Sequence, residues 1–143
     1  MNDPFDLKRF VDAQTPVYAG VISELRAGRK RSHWMWFIFP QLAGLGFSAM
    51  AQRYALTGLA EAQAYLDHGI LGPRLRDCTG AVLAVPDRTI TEILGRPDDL
   101  KFCSCMTLFE QAAPDDIFTA AIDRFCSGWR DERTLGRLAR PQD

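Results

Sequence analysis

The sequence predicts an all-α fold, a single-domain orthogonal assembly of about seven to nine short helices spanning residues 1–143. Three observations carry that expectation. Apolar residues recur at i, i+3, i+4 and i+7 in one segment after another, whereas few stretches alternate at period two. Those segments are punctuated by Ser, Thr or Asp before them and by Gly or Pro after them. Of the 143 residues, 47% are hydrophobic and 24% charged, the balance of a chain that packs one core. A chain of this size buries about 68 to 70% of its unfolded surface, enough to stand without a disulfide or a metal.

Taken in order, Pro4 after Asp3 and the pattern Phe5, Leu7, Phe10, Val11 predict a helix to about Gln14, stopped before Thr15-Pro16. A second runs from about Pro16 to Ala27 on Tyr18, Val21, Ile22 and Leu25, with Gly28 as its C-terminal cap. Alanine-rich helices come next at Ser48 to Tyr54 and Leu59 to Asp67, the latter closed by His68-Gly69. Pro73 belongs in the first turn of a helix through Leu75, Val82 and Leu83 that closes at Val85-Pro86. Thr89 and Glu92 have capping-box spacing for a short helix ending at Gly95.

Phe102, Cys105, Met106, Phe109 and Ala113 mark a long helix from Asp98 to Ala113, with Asp98 and Asp99 offsetting its N-terminal dipole. On that reading Lys101, Ser104, Leu108 and Gln111 form a face turned away from the apolar stripe. Pro114, Asp115 and Asp116 open a further helix on Phe118, Ala121, Ile122 and Phe125, and Asp131 caps the last, which Pro141 ends. The run Trp34 to Phe39 carries no period that separates a buried strand from a helix, but Pro40 requires any helix there to stop near Ile38.

A formal net charge of -1 argues against a surface given over wholly to nucleic acid or to an anionic membrane, so a basic site has to be local. No apolar run approaches the ~20 residues that span a bilayer, and the first residues lack a basic-then-apolar leader. A cytoplasmic protein is therefore expected. Cys78, Cys103, Cys105 and Cys126 lack paired C-x-x-C spacing and are expected to be buried, reduced thiols, with no metal and no cofactor.

Six large apolar side chains in succession, Trp34 to Phe39, cannot share one amphipathic face, so they belong at the centre of the core. Directly before them stand Arg26, Arg29, Lys30 and Arg31, four cations in six residues with no acid among them. Cations held beside a core need partners, either internal ones such as Glu24, Asp98 or Asp99, or a bound anion. A solvated basic turn is the plain reading. The functional one is an anion-binding rim over an aromatic floor: Arg29, Lys30, Arg31, His33 and Trp36, with Asp99, Lys101 and Ser104 opposite. The glycine spacing of a P-loop or a Rossmann turn is missing. Ser32 and His33 are adjacent and do not face each other as nucleophile and base; His33 fits better as a donor or acid-base group at a pocket edge. His33, Asp99 and Lys101 are the weak candidates for catalysis, and the sequence does not decide whether a reaction occurs.

The run Gly28-Arg-Lys-Arg-Ser-His-Trp-Met-Trp-Phe-Ile-Phe-Pro-Gln41, continuing to Gly44-Leu45-Gly46, resembles the signature of a bacterial family known as domain of unknown function 1810. The resemblance extends through Ala62 to Leu66, Leu71 to Leu75, Asp98 to Lys101 and Met106 to Phe109. It implies a small, mainly helical domain and carries neither an activity nor a catalytic residue. The label calpastatin borne by some members does not suit this chain, since that inhibitor is a disordered repeat protein and the composition here is that of a globule.

Two functions of different class are compatible with these residues. One is a pocket for a phosphorylated or nucleotide-like small molecule, with or without hydrolytic or transfer chemistry. The other is an interaction module whose basic segment 26–31 docks an acidic protein surface or a nucleic-acid backbone, nucleic acid being the less favoured partner at this net charge. The oligomeric state is left open.

Overall fold

The computed structural model describes residues 2–114 and 116–139. Among them the chain forms ten helices: α1 Lys8–Gln14, α2 Tyr18–Arg26, α3 Met35–Ile38, α4 Ala49–Arg53, α5 Leu59–Asp67, α6 Leu71–Leu83, α7 Ile90–Leu94, α8 Asp98–Ala112, α9 Ile117–Phe125 and α10 Glu132–Ala139. No β-strand occurs among the described residues; Leu42 and Leu56 make one isolated parallel bridge. The all-α expectation holds, and the helix count exceeds the expected range by one. That extra helix is α3, a single turn in the apolar run whose periodicity decides nothing, and it stops at Ile38 as Pro40 requires.

Local chemistry starts several of these helices. The Ser48 side chain accepts Ala51 N, and Thr89 with Glu92 forms both bonds of the capping box. Asp116 accepts Ile117 N, and Asp131 accepts Thr134 N at 3.2 Å. His68 caps α5 and does more, its Nδ1 accepting the amides of Ile70 and Leu71 as α6 begins. Pro141 and Asp115, read above as helix boundaries, lie outside the described residues.

The core is organised around α8, which packs against α5, α7, α9 and α10. Two chains of aromatic contacts run through it. Tyr54, Phe10, Tyr65, Phe109 and Phe118 touch in succession at 5.2 to 5.6 Å between centroids, and Trp34, Phe39, Phe102 and Phe125 at 5.1 to 6.2 Å. Each such pair adds about 0.5 to 1.5 kcal/mol beyond the area it buries. Trp34, Met35, Phe37, Ile38 and Phe39 are buried as expected, and Trp36 partly so.

Polar side chains inside the core find partners, the Tyr18 hydroxyl excepted among the described residues. The amide nitrogen of Gln14, a buried residue, donates to the Phe37 carbonyl at 2.7 Å, and Glu61 pairs with Arg9 at 3.2 Å.

Two expectations are corrected. Residues 102–110 of α8 are all buried, so Ser104 and Leu108 do not form an outward face; partners on several sides of the helix cover it almost completely. Cys103 and Cys126 form a disulfide, with Cα atoms 5.9 Å apart, because the packing of α9 on α8 brings the α9 C-cap against the middle of α8. Cys78 and Cys105 are free and buried. Burial pushes the Cys78 thiol up to about 12. Among the described residues no helix is long and apolar enough to cross a membrane.

Candidate anion-binding ridge

The basic segment begins where α2 ends. Arg26 stands in the last turn of α2, where a cation complements the helix dipole. The chain then turns through Gly28 at φ +74°, and a Cβ there would lie 3.1 Å from Val85 Cγ1 and 3.3 Å from Arg88 Cδ. Both the left-handed backbone and the crowding call for glycine. The stem of Arg88 thus lies beside the turn. One residue past Arg29, Lys30 N donates to the Ile93 carbonyl at 2.7 Å, which lays the segment along the end of α7.

Glu24 fixes the backbone from Arg31 to Trp34. Its carboxylate accepts Arg31 N at 2.6 Å, Ser32 N at 2.9 Å, Ser32 Oγ at 2.8 Å and Trp34 Nε1 at 3.1 Å. Burial pushes this carboxyl up, but the four hydrogen bonds together outweigh it and hold the group below its ordinary value. An anionic hub therefore ties the basic turn to α2 on one side and to the buried Trp34 on the other.

The four cations divide into two kinds. Lys30 Nζ is 3.0 Å from Asp98 Oδ2, with only 10% and 16% of the two side chains exposed, and 5.2 Å from the Trp34 ring centroid. Lys101 Nζ approaches the other oxygen of Asp98 at 3.9 Å. Arg26, Arg29 and Arg31 are exposed, and among the described residues none has an acidic oxygen within 4.0 Å. One cation is neutralised internally, and three face outward on an anchored backbone.

The other candidate residues are dispersed. His33 is exposed on the same turn as Arg29 to Arg31. Asp99 accepts Thr91 Oγ1 at 2.7 Å and Leu100 N at 2.9 Å, so it is engaged at the start of α8. Ser104 is buried, its hydroxyl within reach of the Leu100 carbonyl and of Asp131 Oδ2, and it joins α8 to the cap of α10. Trp36 lines a cavity of about 20 Å³ with Gln41, Gly44 and Tyr54. The ring set against the basic segment is Trp34. The structure thus gathers Arg29, Lys30, Arg31 and His33 on one turn, reaches Lys101 through Asp98, and employs Trp36 and Ser104 elsewhere. Arg88 is the member that sequence reasoning missed; nothing near it in the chain announces its place beside Gly28. Among the described residues no three His, Cys, Asp or Glu side chains gather as a metal site.

Guanidinium groups are suited to carboxylate and phosphate, which they bind through paired N–H donors. Fold and ridge together define a small all-helical domain with a pinned, outward-facing cationic turn. The chain belongs to the family described as protein of unknown function (DUF1810), whose model matches residues 4–138. It is also similar to the crystal structure of the conserved hypothetical protein Rv1873 from Mycobacterium tuberculosis. That likeness has 58% identity and a TM-score of 0.95, covering 97% of this chain and 100% of the other. No curated protein matches the chain.

Proposed function

We propose that the chain is an interaction module that docks an acidic segment of a partner protein on Arg26, Arg29, Arg31 and Arg88. The observation that carries this reading is the division of the cations: Lys30 is satisfied by Asp98, while Arg26 at the end of α2 and Arg29 and Arg31 on the turn that Glu24 holds are exposed, with no acidic oxygen within 4.0 Å among the described residues. A pinned backbone lowers the ordering cost that a flexible basic loop would meet on binding.

The small-molecule pocket expected at the same residues has less behind it, because Arg29, Arg31 and His33 are exposed and Trp36, the expected aromatic floor, lines a cavity elsewhere. A nucleic-acid partner is disfavoured because Trp34, the ring beside the segment, is buried and offers no face for a base, and because the whole chain carries a net charge of -1. A cytoplasmic location is part of this proposal; the Cys103–Cys126 disulfide weighs against it, since such bonds persist mainly in oxidising compartments.

The test is fluorescence anisotropy with a labelled Asp/Glu-rich peptide, using a DNA duplex of equal charge as competitor and a panel of small phosphates in a thermal-shift assay. The expected result is salt-sensitive peptide binding that the duplex does not displace at equal charge. Duplex binding tighter than peptide binding, or no peptide binding at low salt, would overturn it.

A further inference from the structure

A groove between α2 and α6 carries an inference of its own, sharing only Arg26 with the ridge. Tyr18, Ile22 and Arg26 succeed one another at i, i+4 and i+8 along α2, and Arg76, Asp77 and Ala81 of α6 complete the walls of an open groove of about 560 Å³. That volume lies within the range of roughly 300 to 1,000 Å³ usual for small-molecule sites. The room exists because small residues, Ala19 and Ala81, stand on its walls.

The polar groups in this groove are of complementary kinds. Arg26 has no acidic partner within 4.0 Å among the described residues. Arg76 spends one nitrogen on Asp116, with Nη2 3.1 Å from Oδ2, and stays 37% exposed; among the described residues its other donors are open. Asp77 is exposed and, among the described residues, accepts no hydrogen bond and pairs with no cation. The Tyr18 ring is held by the Arg74 guanidinium at 4.8 Å, and its hydroxyl is tucked beside the Cys78 thiol without a hydrogen bond of regular geometry.

The geometry points to a binding site for a singly phosphorylated sugar. Its phosphate is taken by Arg26 and Arg76, whose forked donors match phosphate oxygens. Its hydroxyls donate to the Asp77 carboxylate, an acceptor that repels a second phosphate. Its C–H faces lie against Tyr18 and Ile22. A bare anion satisfies only the first of these contacts, so selectivity between sugar phosphate and inorganic phosphate is built into the groove.

Titration calorimetry and thermal shift on the full chain test this with ribose 5-phosphate and glucose 6-phosphate as probes, and with inorganic phosphate and the parent sugars as controls. At least one sugar phosphate raises Tm by roughly 3 °C at saturation, and neither control does. Asp77→Asn and Arg26→Gln each weaken the Kd by about tenfold or more. Ala19→Phe, on an exposed position, fills the groove and abolishes binding with the fold intact. Arg29→Ala with Arg31→Ala leaves sugar-phosphate binding unchanged, which separates this site from the ridge. No shift with any sugar phosphate, equal affinity for inorganic phosphate, or full affinity in Ala19→Phe would overturn the assignment.

Discussion

Lys30 Nζ lies 3.0 Å from Asp98 Oδ2, and this pair fastens the basic turn to the N-terminus of α8. Both side chains are mostly covered, so removing either leaves the other partly desolvated without its partner. Lys30→Met and Asp98→Asn are each expected to cost about 2 kcal/mol in denaturant unfolding, and the double variant less than their sum, with a coupling of about 1 to 2 kcal/mol. Strictly additive losses would show that the pair does not act as a unit.

Glu24 is expected to matter more to stability than a partly exposed glutamate ordinarily does. It satisfies two backbone amides, a hydroxyl and an indole N–H. Glu24→Ala is expected to lower stability by about 2 kcal/mol and to speed amide exchange at Arg31 and Ser32. Unchanged exchange there would mean that the turn holds its shape without the hub.

Acid sensitivity arises from carboxylates held below their ordinary values, Asp3, Glu24, Glu92, Glu110 and Asp116, of which Glu24 and Glu110 bear on the ridge and the α8–α9 contact. Both oxygens of Glu110 are bonded by Arg130, at 2.9 and 2.6 Å, and Thr119 adds a third bond, so its carboxyl sits below the ordinary 4.5 despite burial. Glu24 is depressed in the same direction. A folded-state value below the unfolded one means full stabilisation above pH 4.5, where both forms are ionised. Below that the unfolded chain takes up protons first, and stability is lost as pH falls through the folded-state values. Tm is expected to fall steadily as pH drops from about 5 to about 3, and the slope to be shallower in Glu110→Gln. A flat profile, or an unchanged slope in the variant, would contradict the assignment.

The Cys103–Cys126 disulfide closes a sequence separation of 23 residues. Chain-entropy reasoning gives such a link about 3 kcal/mol, or roughly 6 to 12 °C in Tm for a domain of this size. Cys126→Ser, or full reduction, is expected to lower Tm by that amount, and intact mass with and without alkylation checks the oxidised state. Equal melting of oxidised and reduced chains would remove any stabilising role for the bond.

Much of the fold was legible because helix ends are decided by neighbours in sequence. Ser48, Thr89 with Glu92, Asp116, Asp131 and Gly28 act within four residues of themselves, and each does what its chemistry indicates. What periodicity could not show is how many partners surround an element. The apolar stripe of α8 implies one buried face, yet α5, α7, α9 and α10 together bury residues 102–110 all round, Ser104 included.

The candidate site divides along the same line. The basic segment and its burial-driven anchorage could be read from Arg26 to Phe39, and of the acids named as its internal partners, Glu24 and Asp98 make the contacts. Which cation takes which acid depends on the approach of α8 to the turn, a relation between residues about 68 apart for Lys30 and Asp98 that no local pattern encodes. Arg88 beside Gly28 and Cys126 against Cys103 were hidden for the same reason.

Titrating a labelled acidic peptide against three proteins, wild type, Arg29→Ala/Arg31→Ala and Lys30→Met/Asp98→Asn, separates open charge from spent charge. The double arginine variant is expected to bind about tenfold more weakly, and Lys30→Met/Asp98→Asn to stay within about twofold of wild type because removing both members of a neutral pair leaves the local charge unchanged. Wild-type affinity in the arginine variant, or an equal loss in Lys30→Met/Asp98→Asn, would contradict docking on Arg29 and Arg31.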